Sequence, residues 1–156
     1  MTNKNQEQNN PEPGSILHAA EKNCASAGYL YNESIRLTCS EDKNESFRSV
    51  AYLCSAIVLY AFSSELGLKA LLSLDGKKGV KGHNLKSLFG RLSPQMKEMI
   101  IESLPEDRFK VHFNTYLEEN QNDFEEWRYY YEKTNIASSD FLKALSETII
   151  SVANRI

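Results

Sequence analysis

The feature that most constrains the fold of this chain is a long apolar segment in its first half. Apolar residues recur along it at helical spacing, and this stripe consists of Phe47, Val50, Cys54, Ile57, Val58, Ala61, Leu68 and Leu72. Tyrosines and leucines between them cover much of the remaining circumference. Because a helix that is apolar on several sides is surrounded by other elements, the segment predicts a central core helix that ends near Leu74.

The same segment fits a buried core helix better than a membrane span. Its longest uncharged run, residues 49–64, is shorter than the roughly 20 residues that cross a bilayer, and Arg48 and Glu65 close it at either end. The first residues of the chain are polar and lack the apolar centre of a secretion signal. We therefore expect a cytoplasmic protein without a membrane contact.

Other segments predict further helices, and none shows the alternation of a strand. Ser15 caps the first helix, the charged residues 40–46 form a turn, and "HNLKSLFGRL" forms a short amphipathic helix. Ser93 and Pro94 begin another helix. One more helix carries Phe109, Phe113, Tyr116 and Leu117, and the last, capped by Ser138 or Ser139, carries Phe141, Leu142, Leu145, Thr148, Ile149 and Val152.

These segments predict an all-α fold, an up-and-down bundle of four to five main helices plus a short helix. Residues 1–14 are rich in Asn, Gln and Pro and cannot bury enough surface to order themselves, so we expect a disordered polar tail. Residues 15–156 are expected to form a single helical domain, since 156 residues suit one hydrophobic core.

The common signatures of cofactor and metal sites are missing from the sequence. There is no G-x-x-x-x-G-K-[ST] or G-x-G-x-x-G, the three histidines are far apart, and the three cysteines form no C-x-x-C pair. We therefore expect no cofactor and no metal site. The glycine- and lysine-rich stretch "DGKKGVKG" follows a helix rather than a strand and is interpreted as a flexible basic loop.

Two polar residues stand out against this apolar background. Glu65 lies on the stripe of the central helix, where a carboxylate is costly unless it is paired. Lys69 is four residues on, the spacing of a helical ion pair, and Arg128 is a candidate second partner. His83 stands where the short helix starts, so its ring is expected to cap that helix or bond a backbone group. The functional alternative for His83 is a general base or a phosphate contact.

The segment "WRYYYE" concentrates aromatic residues around one guanidinium. Arg128 is followed by Tyr129, Tyr130 and Tyr131, and adjacent residues of a helix point in different directions. One interpretation is ordinary core packing. The other is a stacking surface for nucleic-acid bases formed by Arg128, Tyr129 and Tyr131.

Part of the sequence resembles the HEPN domain family. The stretch "ELGLKALLSLDGKKGVKGHNLKSLFGRL" is similar to its second-helix signature, at Glu65, Leu68, Lys69, Gly76, His83, Leu85 and Leu88. The "WRYYYE" segment resembles an Arg-Tyr element found later in many members, and the resemblance covers roughly residues 15–155. It implies a HEPN-like bundle, often dimeric. Many members cleave RNA as toxins or phage-defence effectors, and others are non-catalytic partners of small nucleotidyltransferases or bind nucleotides.

The sequence departs from the nuclease members of that family. They carry an Arg, then four to six residues, then a His, but no His follows Arg128. Arg108 and His112 come nearest, with three residues between them, and they would be i, i+4 neighbours able to face one phosphate on a helix. His83 serving Arg128 across the bundle is the other arrangement. The catalytic candidates are therefore Arg128, His83, Arg108 and His112, and none of them is favoured.

We therefore expect a non-catalytic binding or partner module rather than an enzyme. Its ligand would be RNA, a nucleotide or a protein partner, and its binding residues Arg128, Tyr129, Tyr131, Lys69 and Glu65. A homodimer or a complex with a nucleotidyltransferase is expected, in a toxin–antitoxin or phage-defence setting. The net charge of −3 agrees with modest affinity for nucleic acid. The alternatives are a metal-independent ribonuclease with a rearranged Arg/His site and a purely structural interaction protein.

Overall fold

The structure, a computed structural model, describes residues 11–122 and 138–156, and this part of the chain is all-α, as predicted. Its helices are α1 (Pro13–Thr38), α2 (Lys43–Leu74), α3 (Leu85–Gly90), α4 (Pro94–Ser103), α5 (Asp107–Val111), α6 (Phe113–Glu119) and α7 (Ser139–Ala153). No strand occurs within the described ranges. Of the tail predicted over residues 1–14, only residues 11–14 lie within the described ranges.

The two longest helices, α1 and α2, form a hairpin. α1 begins at Pro13 rather than at the predicted Ser15, because proline at the first helical position lacks only an N–H that would be unpaired there. α2 begins at Lys43, where Asp42 accepts a hydrogen bond of 2.7 Å from the Asn44 N–H. The turn predicted over residues 40–46 is therefore shorter. α2 ends at Leu74, as predicted.

Helix α7 packs against both members of the hairpin and runs antiparallel to α1. The Tyr31 hydroxyl donates to Asp140 at 2.5 Å near the start of α7, and the Asn154 amide donates to Glu21 at 2.9 Å after its end. The predicted stripe of α7 is buried at every position, and Ser138 caps the helix, since its Oγ accepts from the Phe141 N–H. The α2–α7 contact is close because Gly67 has no side chain against Ile149.

The remaining helices complete the core around the C-terminal half of α2. Leu85, Leu88 and Phe89 of α3 are buried, as the amphipathic pattern predicts. The single helix predicted from Phe109 to Leu117 is wrong, because the backbone leaves helical geometry at His112 and separates α5 from α6. The aromatic rings on both sides of this break still pack together in the core, and this cluster consists of Phe109, Phe113, Tyr116 and Phe141.

The N-terminal half of α2 differs from the prediction that its whole stripe is enclosed. Phe47 is 75% exposed and Val50 is 59% exposed, whereas Leu68 and Leu72 on the same stripe are fully buried. By length and composition alone, α2 is apolar enough to cross a membrane, but 61% of its most apolar window is buried within the protein. That burial is typical of the central helix of a folded core.

Candidate functional site

A buried ion pair on α2 lies at the centre of the candidate site. Glu65 is 1% exposed, and its Oε1 accepts a hydrogen bond of 2.7 Å from the Lys69 ammonium one turn later. This confirms the predicted Glu65–Lys69 pair. The pair forms because four-residue spacing places both side chains on one helix face. Lys69 is 17% exposed, so its ammonium stands at the boundary between the core and the surface.

His83 joins this pair from the segment before α3. Its Nδ1 lies 3.0 Å from the same Glu65 oxygen that accepts from Lys69. An ionised carboxylate can only accept, so the hydrogen of this bond belongs to Nδ1. Of the two structural roles predicted for the His83 ring, the cap of α3 is wrong, because Asn84 performs that role and accepts from the Ser87 N–H at 2.8 Å. Glu65 therefore links the segment before α3 to α2.

The second oxygen of Glu65, Oε2, has no hydrogen-bond partner among the described residues. Arg128, the predicted second partner of Glu65, lies outside those residues, as do Tyr129 and Tyr131. The Glu65–Arg128 pair and the stacking surface therefore stay predictions. Lys69 and Glu65 are the members of the predicted binding set that the structure describes, and it brings them together.

Arg108, of the predicted Arg108–His112 pair, is bound to acidic side chains. Arg108 Nε donates to Glu106 at 2.6 Å, and its Nη2 lies 3.8 Å from Asp140. The Glu106 carboxylate raises the pKa of the Arg108 guanidinium above its usual value, so these two acidic groups hold the charge. His112 ends α5, and its N–H donates to the Arg108 carbonyl at 3.1 Å, so the two residues have the predicted i, i+4 spacing.

A cavity of about 660 Å³ adjoins Lys69. Its walls come from the start of α1, the last turns of α2 and the segment between α2 and α3. Four lysines line it, namely Lys69, Lys77, Lys78 and Lys81, and we call it the lysine cavity. The other side chains on its walls include Ile16, Leu66 and Val80, which are apolar, together with Ser73 and Glu12. Positive charge and apolar surface thus meet in one concave site.

The segment between α2 and α3, which lines the cavity, contains three glycines with positive φ. Gly76, Gly79 and Gly82 have φ values of 76°, 61° and 103°, a region that other residues rarely adopt. The Lys77 N–H closes the end of α2 by donating to the Leu72 carbonyl at 2.9 Å. Within the described part of the chain, the backbone N–H groups of residues 78–82 donate no hydrogen bond to a backbone carbonyl.

Sequence reasoning missed the contribution of Lys77, Lys78 and Lys81, since it interpreted their stretch as a flexible basic loop. The signal that was present is a glycine at every third position with lysines between them. Such a pattern permits the left-handed backbone at each of the three glycines. In the structure, α1 and α2 close a cavity against this segment.

Comparison with known proteins finds no match for this chain. No family model matches it, and neither the curated proteins nor the solved structures searched contain a match. The resemblance to the HEPN family therefore stays a prediction that rests on the sequence motifs.

Proposed function

We propose that this chain is a non-catalytic, HEPN-like helical module that binds a phosphate-bearing ligand, either RNA or a nucleotide. The observation that carries the proposal is the lysine cavity next to the Glu65–Lys69–His83 cluster. Ligand sites of this kind are concave and mostly apolar and hold a few convergent polar groups. The cavity combines these properties.

The electrostatics of the lysine cavity favour an anion. The charge of Lys69 is offset by Glu65, which fixes the position of its ammonium group. Lys77, Lys78 and Lys81 form no salt bridge with another described residue, so their charges are available to a ligand. Glu12 contributes one carboxylate to the walls, and the three loop lysines outnumber it. Phosphate oxygens are strong acceptors for ammonium donors.

Binding without catalysis accounts best for the described part of the site. A ribonuclease without metal needs an acid and a base within reach of one phosphate. No arginine lines the lysine cavity within residues 11–122 and 138–156, and Arg108 is held by Glu106. We place the module in the cytoplasm, as a homodimer or beside a nucleotidyltransferase or other protein partner, in a toxin–antitoxin or phage-defence setting.

One observation favours the ribonuclease as a second candidate. The His83 side chain is 53% exposed, and Glu65 orients its ring through Nδ1. A carboxylate that binds Nδ1 in this way fixes the tautomer and the orientation of the imidazole ring, as in general bases. In that case Arg128 would supply the second group, which is one of the two arrangements considered from the sequence.

The experiment measures the affinity of the purified protein for a short labelled RNA and for a labelled nucleotide at low salt. The double variant Lys77→Gln/Lys78→Gln removes two cavity charges, and Lys22→Gln/Lys43→Gln removes two exposed charges elsewhere. We expect the first to lower affinity about tenfold or more, since each tenfold corresponds to about 1.4 kcal/mol, and the second to have little effect. Equal affinity in both double variants would overturn the proposal.

The same purified proteins also distinguish a binding module from a ribonuclease. Each protein is incubated with RNA in the presence of a metal chelator, beside a His83→Ala variant. We expect no cleavage by any of them. Cleavage that the folded His83→Ala variant loses would replace the binding module with the ribonuclease.

A further inference from the structure

We propose that a groove between α1 and α7 binds a linear aliphatic diamine or polyamine. This α1–α7 groove has a volume of about 420 Å³, within the range that is usual for small-molecule sites. Residues of α1 between Glu21 and Gly28 form one wall, and residues of α7 between Glu147 and Ser151 form the other. The groove shares no lining residue with the lysine cavity, so it is a second site, independent of the phosphate site proposed above.

One end of the groove carries the carboxylate of Glu21. Its Oε1 accepts a hydrogen bond of 2.9 Å from the neutral Asn154 amide, and its Oε2 lies 3.5 Å from His18 Nδ1. Within residues 11–122 and 138–156, neither a lysine nor an arginine forms a salt bridge with Glu21. A carboxylate has more acceptor positions than these two contacts use. An ammonium group would therefore form a charge-assisted hydrogen bond at this end.

The other end of the groove lies beside the buried hydroxyl of Tyr60. Tyr60, on α2, is 0% exposed, and its hydroxyl has no hydrogen-bond partner among the described residues. A Cβ at Gly28 would lie 3.6 Å from this hydroxyl, so the glycine leaves the hydroxyl next to the floor of the groove. Burial and then the charge of Glu147 raise the pKa of the Tyr60 hydroxyl, which is neutral at pH 7. Buried hydroxyls almost always have a partner, and an N–H donor entering beside Gly28 would supply one.

Between its two ends, the groove presents neutral and apolar surface. Ala25 and Ile150 line this part, as does Cys24. Burial raises the pKa of the Cys24 thiol, so the thiol is protonated at pH 7. The Ser146 hydroxyl next to this thiol donates to Ser63 at 2.8 Å and so already has a partner within the protein. A chain of methylene groups would bury against this stretch without leaving a charge unpaired.

The separation of the two polar ends selects a ligand with two amines. Glu21 and Gly28 are seven residues apart on α1, which corresponds to about 10 Å along the helix axis. A single ammonium group at one end leaves the other end unoccupied, whereas an extended chain with an amine at each end occupies both. Glu147 adds a carboxylate at the Tyr60 end, but both its oxygens accept from Lys143, at 2.7 and 2.9 Å. Glu21 therefore provides most of the attraction for positive charge.

The test is a titration of the full chain at low salt, followed by NMR chemical shifts, with octamethylenediamine, octylamine and putrescine. Octylamine has the same chain as octamethylenediamine but only one amine, and putrescine has two amines on a chain half as long. We expect octamethylenediamine to bind at least about tenfold more tightly than octylamine, because its second amine gains a contact. It should also bind more tightly than putrescine. Equal binding of octamethylenediamine and octylamine would overturn the proposal, as would tighter binding of putrescine.

The Glu21 end is tested by a charge-removing variant and a matched control. Glu21→Gln keeps an acceptor for the Asn154 amide and should weaken octamethylenediamine about tenfold. Glu98→Gln removes an exposed carboxylate on α4 and should leave the affinity unchanged. Equal weakening by the two variants would show that the diamine responds to the overall charge of the protein, and it would overturn the assignment to the groove.

The Tyr60 end is tested by Tyr60→Phe and Gly28→Ala. The first removes a hydroxyl without a described partner, and the second places a methyl group over that hydroxyl at ordinary contact distance, so both proteins should stay folded. Each should weaken octamethylenediamine about fivefold or more, the scale of one lost hydrogen bond. Tyr29→Phe and Gly90→Ala are the controls, since Tyr29 is 68% exposed and Gly90 has open space around it. Unchanged affinity in both Tyr60→Phe and Gly28→Ala would overturn the two-ended site.

Discussion

The two halves of α2 carry one apolar pattern but have different surroundings. In the C-terminal half, Leu68 and Leu72 are fully buried and Glu65 is 1% exposed. In the N-terminal half, Phe47 and Val50 continue the same stripe and are mostly exposed. α3 and α7 contact α2, and the close contact with α7 at Gly67 lies in the C-terminal half. Helical periodicity therefore defines a face of the helix, whereas tertiary packing decides how much of that face is covered.

The largest expected effect comes from truncating one stripe residue in each half. Leu72→Ala should lower the free energy of unfolding by about 3 kcal/mol, because removing a fully buried leucine leaves a cavity in the core. Phe47→Ala removes a larger side chain, yet its effect should stay within about 0.5 kcal/mol, since the ring is 75% exposed. Urea unfolding of both variants measures this difference. Equal losses would show that the N-terminal half of α2 is covered in solution.

These two residues also show how far the sequence could predict the fold. The stripe of α2, the buried face of α7 and the end of α2 at Leu74 follow from spacing and glycine placement, which are local. The exposure of Phe47 depends on where other helices end, and periodicity contains no information about that. The break at His112 was missed for a similar reason, because Phe109 and Phe113 have helical spacing and are both buried.

In the candidate site, too, the sequence predicted the contact between residues close in the chain and missed the contacts between distant residues. The Glu65–Lys69 pair was predicted because its two residues are four apart on one helix. The Glu65–His83 bond joins residues 18 apart, and the lysine cavity joins Ile16 to Lys81. Such contacts depend on the packing of whole elements. Their residue types were visible in the sequence, but their proximity was not.

Enclosure in the core should also decide how much an ion pair contributes to stability. Glu65→Gln should lower the free energy of unfolding by about 2 kcal/mol, because it leaves the Lys69 ammonium, 17% exposed, without its carboxylate. Glu147→Gln breaks the Lys143–Glu147 pair, which has the same four-residue separation and a distance of 2.7 Å but is exposed. That change should cost less than about 0.5 kcal/mol.

Urea unfolding at neutral pH, at low and at high salt, measures both ion-pair variants. Salt should reduce the small contribution of Glu147 and have little effect on that of Glu65, since buried pairs are screened less. A Glu65→Gln variant as stable as Glu147→Gln would contradict the prediction. It would mean that the free-energy cost of burying Glu65 equals the stabilisation from its contacts with Lys69 and His83.

The smallest expected effect concerns how closely the enclosed half of α2 is packed. A Cβ at Gly67 would lie 2.5 Å from Ile149 Cγ2, and that methyl belongs to a β-branched side chain that is stiff in a helix. Gly67→Ala should therefore cost about 2 kcal/mol of overpacking, offset by about 1 kcal/mol of improved helix propensity. The net loss should be about 1 kcal/mol.

Gly28 on α1 provides the matched control for Gly67. A Cβ at Gly28 would lie 3.6 Å from the Tyr60 hydroxyl, which is ordinary contact, so Gly28→Ala gains helix propensity without a clash. It should be neutral or more stable than the parent chain, and thermal unfolding of the two variants measures the opposite signs. If Gly67→Ala also proved stabilising, α7 would be free to move away from α2. The enclosure that distinguishes the C-terminal half would then be looser than the contact at Ile149 implies.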